Sequence, residues 1–423
     1  MVAKQAQAHF HLVRQTSLQL CEPLKHEDYN LQCMDDASPP KWHLAHTTWF
    51  FEQFVLLPFK KNYTVFSETF HYLFNSYYET AGSLYPRPRR GLIARPTLET
   101  VLRYRRFIDE QMQELLELTE HPDFEKIVST TEIGLHHEQQ HQELLLTDTK
   151  YNYFCQYEKP EYHKPAKQLT EPNKQKPSWL ELKEGVHQVG HDPKNGFGYD
   201  NECPPHKVYI NPVAMNSHLS TNGDFAEFID AGGYKRVELW LSEGWSFIKN
   251  QKIEHPMYWQ KKGDDWYEFT LSGLRILDLN APVCHLSYFE ADAFASWKAC
   301  RLPSEFEWEV ASKDLAIAGN FLESQRFHPG APSEISQSPQ GFSQLFGDVW
   351  EWTQSAYAPY PNFKSLLGSL GEYNGKFMCN QYTLRGGSCV TPESHIRKTY
   401  RNFFSPHARW QFTGIRLAKD DSQ

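Results

Sequence analysis

Cysteine pairing is missing from this chain. The eight cysteines, Cys21, Cys33, Cys155, Cys203, Cys284, Cys300, Cys379 and Cys389, include no Cys-x-x-Cys spacing. That argues against a zinc-thiolate site or a disulfide framework and suits reduced thiols. Long apolar runs are missing too: none approaches the ~20 residues needed to cross a bilayer. The stretch from Met1 to Gln19 has no continuous apolar core of the signal-peptide kind. A cytoplasmic protein without a membrane partner is expected. Basic charge is in deficit: the net charge of −9 argues against a nucleic-acid partner. No internal repeat or low-complexity tract is evident. What the chain does have is aromatic side chains, 22 Tyr and 28 Phe, and 20 His in 423 residues. That length predicts two or three domains with ample material for cores.

The most informative stretch runs from Gly134 to Glu143, Gly-Leu-His-His-Glu-Gln-Gln-His-Gln-Glu. It reads as helix, because strong helix formers follow Gly134 without interruption. Residues four apart share a helix face, so His137 and His141 can reach one point, with Gln140 beside them. Two neutral imidazoles aimed at one point are the start of a metal site. The segment His137 to His141 matches His-Glu-x-x-His, the zinc-protease helix with Glu138 as general base. It equally fits two iron ligands awaiting a third from another helix. In a histidine-rich chain it also fits an exposed polar helix.

A seam divides the chain. Residues 156–178 carry Pro160, Pro165, Pro172 and Pro177 among Lys, Glu, Gln and Asn, and read as a linker. Before it, residues 1–155 read as an antiparallel helical bundle. Its helices are expected near 5–22, over Lys41–Leu57, over Thr97–Glu120 and from Phe124 to about Cys155, the last capped by Asp123. Val101, Tyr104, Ile108, Met112 and Leu115 form the apolar stripe of the third. Bundles build metal sites from inward-facing side chains on different helices. After the seam, residues 179–420 read as a mixed α+β domain with little regular structure. Short strands are expected at Val186–Val189 and Lys207–Ile210, and helices at Asp224–Ala231, Tyr288–Cys300 and Ser304–Lys313.

Three stretches of the second half carry a resemblance: Arg301-Leu-Pro-Ser-Glu-Phe-Glu-Trp-Glu309, Gly347-Asp-Val-Trp-Glu-Trp-Thr353 and Arg385-Gly-Gly-Ser388. They resemble the formylglycine-generating-enzyme-like fold, a variant of the C-type-lectin fold. The first half resembles the DinB-like helical bundle. Both together, with Tyr400-Arg-Asn-Phe-Phe404 and Arg409-Trp-Gln-Phe-Thr-Gly-Ile-Arg416, resemble the iron-dependent sulfoxide synthases of ergothioneine biosynthesis. The implied fold is an α+β multidomain chain.

That resemblance implies the remaining assignments. It names His46, closing Trp42-His-Leu-Ala-His46, as third ligand beside His137 and His141, with His43 one turn away as competitor. It implies Fe(2+) as cofactor, O2 as cosubstrate, and bond formation between a thiol sulfur and C2 of hercynine with oxidation of the sulfur to a sulfoxide. Phe403, Phe404 and Asn402 would hold the trimethylammonium and carboxylate of hercynine, and Gln140 its imidazole side. Aromatic faces suit a quaternary ammonium, which has no proton to donate. Arg87 and Arg90 would bind the carboxylate of the thiol substrate, while Arg89 faces solvent. Cysteine is favoured over γ-glutamylcysteine by the Tyr77-Tyr78 and Phe403-Phe404 combination. Tyr78, or else Tyr77, would donate a proton that favours carbon–sulfur bond formation over thiol oxidation. Tyr357 and Tyr360 are the corresponding candidates in the second half.

Four rivals follow from the same features. A formylglycine-generating oxidase would need paired cysteines after Gly-Gly-Ser, where only Cys389 follows. An ovothiol-type enzyme would use unmethylated histidine, which the aromatic pair disfavours. A selenium-using hercynine enzyme is disfavoured by the arginine pair. A lectin-like binding module would take its function from the fold alone.

Overall fold

The structure, a computed structural model, describes residues 2–164, 177–332, 341–366 and 368–420. The central part of the expected linker, including Pro165 and Pro172, lies outside the described residues. Two compact units result: Met1–Tyr162 with Leu367–Tyr373, and His163–Leu366 with Asn374–Gln423.

The first unit is helical. Its elements are α1 (Val2–Gln19), α2 (Pro40–Phe51), α3 (Leu57–Phe59), α4 (Phe70–Phe74), α5 (Leu98–Glu117) and α6 (Phe124–Cys155). Helix α5 follows its hydrophobic period closely. Val101, Tyr104, Ile108, Met112 and Leu115 are all fully buried, and Thr97 caps the helix by accepting the Thr100 amide at 3.3 Å. Helix α2 starts at Pro40, whose missing N–H costs nothing at a first turn, and all twelve of its residues are buried. It packs on both α5 and α6, while α1 packs on α6. Five residues of π-helix, Glu52–Leu56, follow α2. There Glu52 accepts hydrogen bonds from the Tyr63 hydroxyl, the Phe66 amide and the Tyr104 hydroxyl. Asp123 sits at the N-terminus of α6 without capping it; its carboxylate pairs with Lys126 at 2.6 Å instead.

The second unit has twelve short strands among the described residues. In chain order they are β1 (Trp179–Leu182), β2 (Gly185–Val189), β3 (His206–Ile210), β4 (Val213–Asn216), β5 (Trp259–Lys262), β6 (Asp265–Thr270), β7 (Gly273–Ile276), β8 (Trp350–Ala356), β9 (Tyr382–Arg385), β10 (Asn402–Phe404), β11 (Thr413–Gly414) and β12 (Ala418–Asp420). They form sheets β1-β4-β12, β10-β9-β8-β11, β2-β3 and β5-β6-β7; only the β8–β11 pairing is parallel. Helices α7 (Asn222–Asp230), α8 (Ser242–Gln251), α9 (Tyr288–Trp297) and α10 (Glu305–Ser312) complete it. Helix α8 and the β5-β6-β7 meander were not expected from the sequence. Ser287 with Glu290, and Ser304 with Glu307, form capping boxes that start α9 and α10.

The signature stretches of this half form a buried charge framework. Glu305 accepts from Arg401 at 2.8 and 2.9 Å, Glu309 from Arg385 at 2.8 Å, and Glu351 from Arg416 at 2.9 and 3.0 Å. Trp352 donates its indole N–H to the Leu286 carbonyl at 2.9 Å. These pairs tie α10 to β9 and to Arg401, and β8 to Arg416; Arg401 and Arg416 lie outside helices and strands.

Candidate metal centre and substrate-facing residues

Helix α6 presents His137 and His141 on one face, and α2 brings His46 to meet them. One ring nitrogen of each histidine lies within 4.8 Å of the other two; His46 and His137 are buried and His141 is half-buried. The Nε2 atoms of His46 and His137 are 3.1 Å apart. Nδ1 of His46 donates to the Phe74 carbonyl at 2.6 Å, which leaves Nε2 as the lone-pair nitrogen facing the cluster. Burial pushes all three pKa values down, that of His137 to about 3 and those of His46 and His141 well below the ordinary value. The three rings are therefore neutral, the form in which imidazole binds a metal. His137 Nδ1 is buried with no hydrogen-bond partner among the described residues. Three neutral nitrogen donors fit a borderline divalent ion such as ferrous iron, with positions left over for substrates. The other histidine of α2, His43, contacts His141 and is not one of these three.

Glu138 does not act as a zinc-protease base. It is 1% exposed and accepts from Arg14 at 2.8 Å, from Ser17 at 2.6 Å and from Arg105. Burial alone would raise its pKa; the charges of Arg105 and Arg14 outweigh that and hold it at about 2. A carboxylate fully engaged by two guanidinium groups has little basicity for activating water.

Aromatic rings enclose the cluster. Trp42 stacks on His46 at 4.5 Å and 14°, Trp49 lies 5.7 Å from the same ring, and Phe50 lies 4.8 Å from His137. Arg90 is buried, with its guanidinium 3.4 Å from the centre of the Trp42 ring. It donates to the side chains of Ser38 and Ser76, both at 2.9 Å. Its charge reaches His46, His141 and Tyr77. Arg87 is exposed and donates to the Asp36 carbonyl; Arg89 is exposed. The two arginines thus occupy different environments.

Tyr78 is fully buried against Trp49, their ring centres 5.7 Å apart, and its hydroxyl is 3.5 Å from that of Tyr77. Burial raises the Tyr77 pKa, so this phenol keeps its proton. Tyr373 joins the site without any motif in the sequence to mark it. Its ring lies 5.7 Å from His137 and 6.1 Å from Tyr77, and its hydroxyl donates to Gln140. It lies 232 positions beyond His141, too far for any local pattern to connect them.

In the second unit, Phe403 stacks on Tyr357 at 4.1 Å and 9°, with Phe377 5.8 Å away on a near-parallel plane. Phe404 instead neighbours Trp410 at 6.4 Å. Consecutive strand residues point to opposite faces, so β10 does not bring the two rings into one cage. The Asn402 side-chain carbonyl accepts the Phe403 amide at 2.9 Å. Tyr357 receives a hydrogen bond from Asn201, and Tyr360 lies in the charge framework with Glu305 and Arg385. Cys389 is fully buried.

Comparison with known proteins places these features. The DinB superfamily profile matches residues 9–145, and that of the sulfatase-modifying factor enzyme 1-like domain matches residues 165–335 and 318–421. Hercynine oxygenase of Mycobacterium tuberculosis is 33% identical over 244 residues, 52% of this chain and 56% of that protein. Formylglycine-generating enzyme of Thermomonospora curvata is 26% identical over 56% of this chain and 91% of its own length. Ergothioneine biosynthesis protein 1 of Schizosaccharomyces pombe is 25% identical over 53% of this chain and 28% of its own length. The match spans about half the length of the hercynine oxygenase. No described helix is long and apolar enough to cross a membrane. With matches that together cover more than half of the sequence, the chain belongs to the sulfatase-modifying factor enzyme 1-like domain family, here preceded by a DinB-superfamily region.

Proposed function

We propose that the chain is a non-heme iron(II), O2-dependent sulfoxide synthase. It joins the sulfur of cysteine, in preference to γ-glutamylcysteine, to C2 of hercynine. The observation that carries this reading is the cluster of three neutral imidazoles from α2 and α6, two of them buried and that of His141 half-buried, in a chain whose relatives include a hercynine oxygenase.

Bound through His46, His137 and His141, ferrous iron would supply the redox chemistry with dioxygen and acidify a bound thiol. The protein's own groups do the rest. The Phe74 carbonyl fixes the His46 ring. Arg90 offers a buried guanidinium whose serine partners a substrate carboxylate can replace, a charge-assisted contact stronger than either hydroxyl. Trp42, Trp49 and Phe50 keep bulk water from the imidazoles. The resemblance assigns the Phe403 ring to the trimethylammonium group. Tyr78, or else Tyr77, supplies a phenol proton to the reacting groups, and Tyr373 is a third phenol beside His137.

The test is anaerobic loading with ferrous iron, then oxygen, hercynine and either thiol, with products identified by mass. Hercynine–cysteine sulfoxide is expected, with Tyr78→Phe diverting the cysteine to its sulfinic acid. Tyr77→Phe and Tyr373→Phe are run in parallel. An unchanged product ratio in Tyr78→Phe with a shifted ratio in Tyr373→Phe would move the donor role to Tyr373. Equal turnover of histidine and hercynine would favour the ovothiol-type reaction.

A further inference from the structure

His43 lies one turn before His46 on α2 and is the natural rival for the third ligand position. Its contacts give it a different task. Its Nδ1 is 2.8 Å from Nδ1 of His141, and its Nε2 is 3.1 Å from Oδ2 of Asp148 on the same helix as His141. Both His43 and Asp148 are 3% exposed, so water does not compete for these bonds. Asp148 is itself anchored: Oδ2 also accepts the Ser38 amide at 2.8 Å, just before α2 begins. Ser38 in turn receives the Arg90 guanidinium on its hydroxyl.

With both imidazoles neutral, the carboxylate sets the direction of the hydrogen bonds. A carboxylate only accepts, so the proton between Asp148 and His43 sits on His43 Nε2. In neutral His43 that leaves Nδ1 as a lone pair. Nδ1 of His141 must then carry the proton and donate. The other nitrogen of His141, Nε2, is left as the lone pair. Reversing any member of this chain would place the proton on Nε2 of His141 and block it as a ligand.

We infer that His43 and Asp148 are positioning residues that hold His141 in the Nδ1–H form, so that its Nε2 is presented to the metal bound with His46 and His137. This rests on the metal site proposed above. His46 has its own lock in the Phe74 carbonyl, so the two ligands from different helices are oriented by different partners. Partners of this kind typically change metal affinity by about 10–100-fold when removed.

Two measurements test it, one of which needs no metal. Long-range proton–nitrogen spectra of the metal-free, nitrogen-15-labelled protein report the tautomer of each histidine, with His141 assigned from His141→Gln. The expected result is Nδ1–H on His141 in the wild type and a mixture in Asp148→Asn and His43→Ala. Anaerobic cobalt(II) titration, followed by its visible ligand-field bands, should then show binding weakened about 10–100-fold in both variants. His43→Gln, whose side-chain carbonyl can accept from Nδ1–H, should recover most of that loss. An unchanged His141 tautomer in Asp148→Asn, or unchanged cobalt affinity in both variants, overturns the positioning role. So does loss of binding in His43→Ala and His43→Gln with full binding in Asp148→Asn, which would make His43 itself a ligand. Should His43→Ala fail to fold, Asp148→Asn alone decides. A wild type that takes up no cobalt or iron overturns the metal reading, and the metal-free spectrum still decides the tautomer.

Discussion

At the scale of single residues, two positions next to the histidines show how packing and charge set the site. Gly134 lies inside α6, where glycine costs about 1 kcal/mol relative to alanine. A Cβ there would sit 2.6 Å from Phe51 and 2.9 Å from Phe50, so glycine is what lets α6 approach α2. Phe50 also packs on His137. Gly134→Ala should therefore destabilise the protein by about 1–3 kcal/mol, despite its better helix propensity. Urea denaturation of the metal-free protein measures this, and a stabilised variant would show that the phenylalanines yield easily. Glu138 makes the complementary case. Glu138→Gln leaves Arg14 and Arg105 without their shared carboxylate, and removing one partner of a buried ion pair costs about 3–5 kcal/mol. A variant of unaltered stability but abolished turnover would instead point to a chemical role for Glu138.

At the scale of elements, strand alternation and helix burial decide what a motif can do. On β10, Phe403 faces Tyr357 and Phe377, whereas Phe404 faces Trp410. Only the first ring has stacked aromatic company. Phe403→Ala should weaken hercynine binding by about 0.5–2 kcal/mol, the range of a cation–π contact, and Phe404→Ala should weaken it less. Calorimetry with hercynine and with histidine separates the two; equal losses would mean that both rings meet the ligand. Helix α2 illustrates a limit of periodicity. With every residue buried it has no polar face, so its apolar pattern does not mark which side holds the ligand. The π-helical turn that follows, with Glu52 tied to Tyr63, Phe66 and Tyr104, depends on partners far along the chain and leaves no local signature.

At the scale of the whole molecule, both units bury carboxylate–arginine pairs, Glu138 with Arg14 and Arg105 in the first and Glu305 with Arg401 and Arg385 in the second. Such pairs make stability depend on pH. Burial favours the neutral form of Glu305, but the charges of Arg401 and Arg385 outweigh it and lower the pKa below the ordinary value. A carboxylate whose folded pKa is depressed adds stability above its unfolded pKa of about 4.3, and loses it as pH falls through the folded value. Glu309 and Glu351 run the other way, because burial dominates and raises them. The comparison is thus wild type against Glu305→Gln at each pH. The variant should melt lower at pH 7, and the gap should narrow as the pH drops below about 4. A gap that is constant with pH would show that the Glu305 charge is not what stabilises this framework.

The sequence by itself determined the helical first half and the mixed second half, because periodicity, capping residues and composition are local. It also determined the pairing of His137 and His141, since four residues on one helix set their spacing without help from the rest of the chain. The resemblance carried by the signature stretches pointed to His46. Only the tertiary structure separated His46 from His43, by tying His46 to Phe74 and His43 to His141 and Asp148. Only the tertiary structure turned Glu138 away into an arginine pair, split Phe403 from Phe404 and placed Tyr373 beside His137. The physical reason is the same in each case. A side chain's direction and its partners depend on which distant elements share its core, and no local spacing records that.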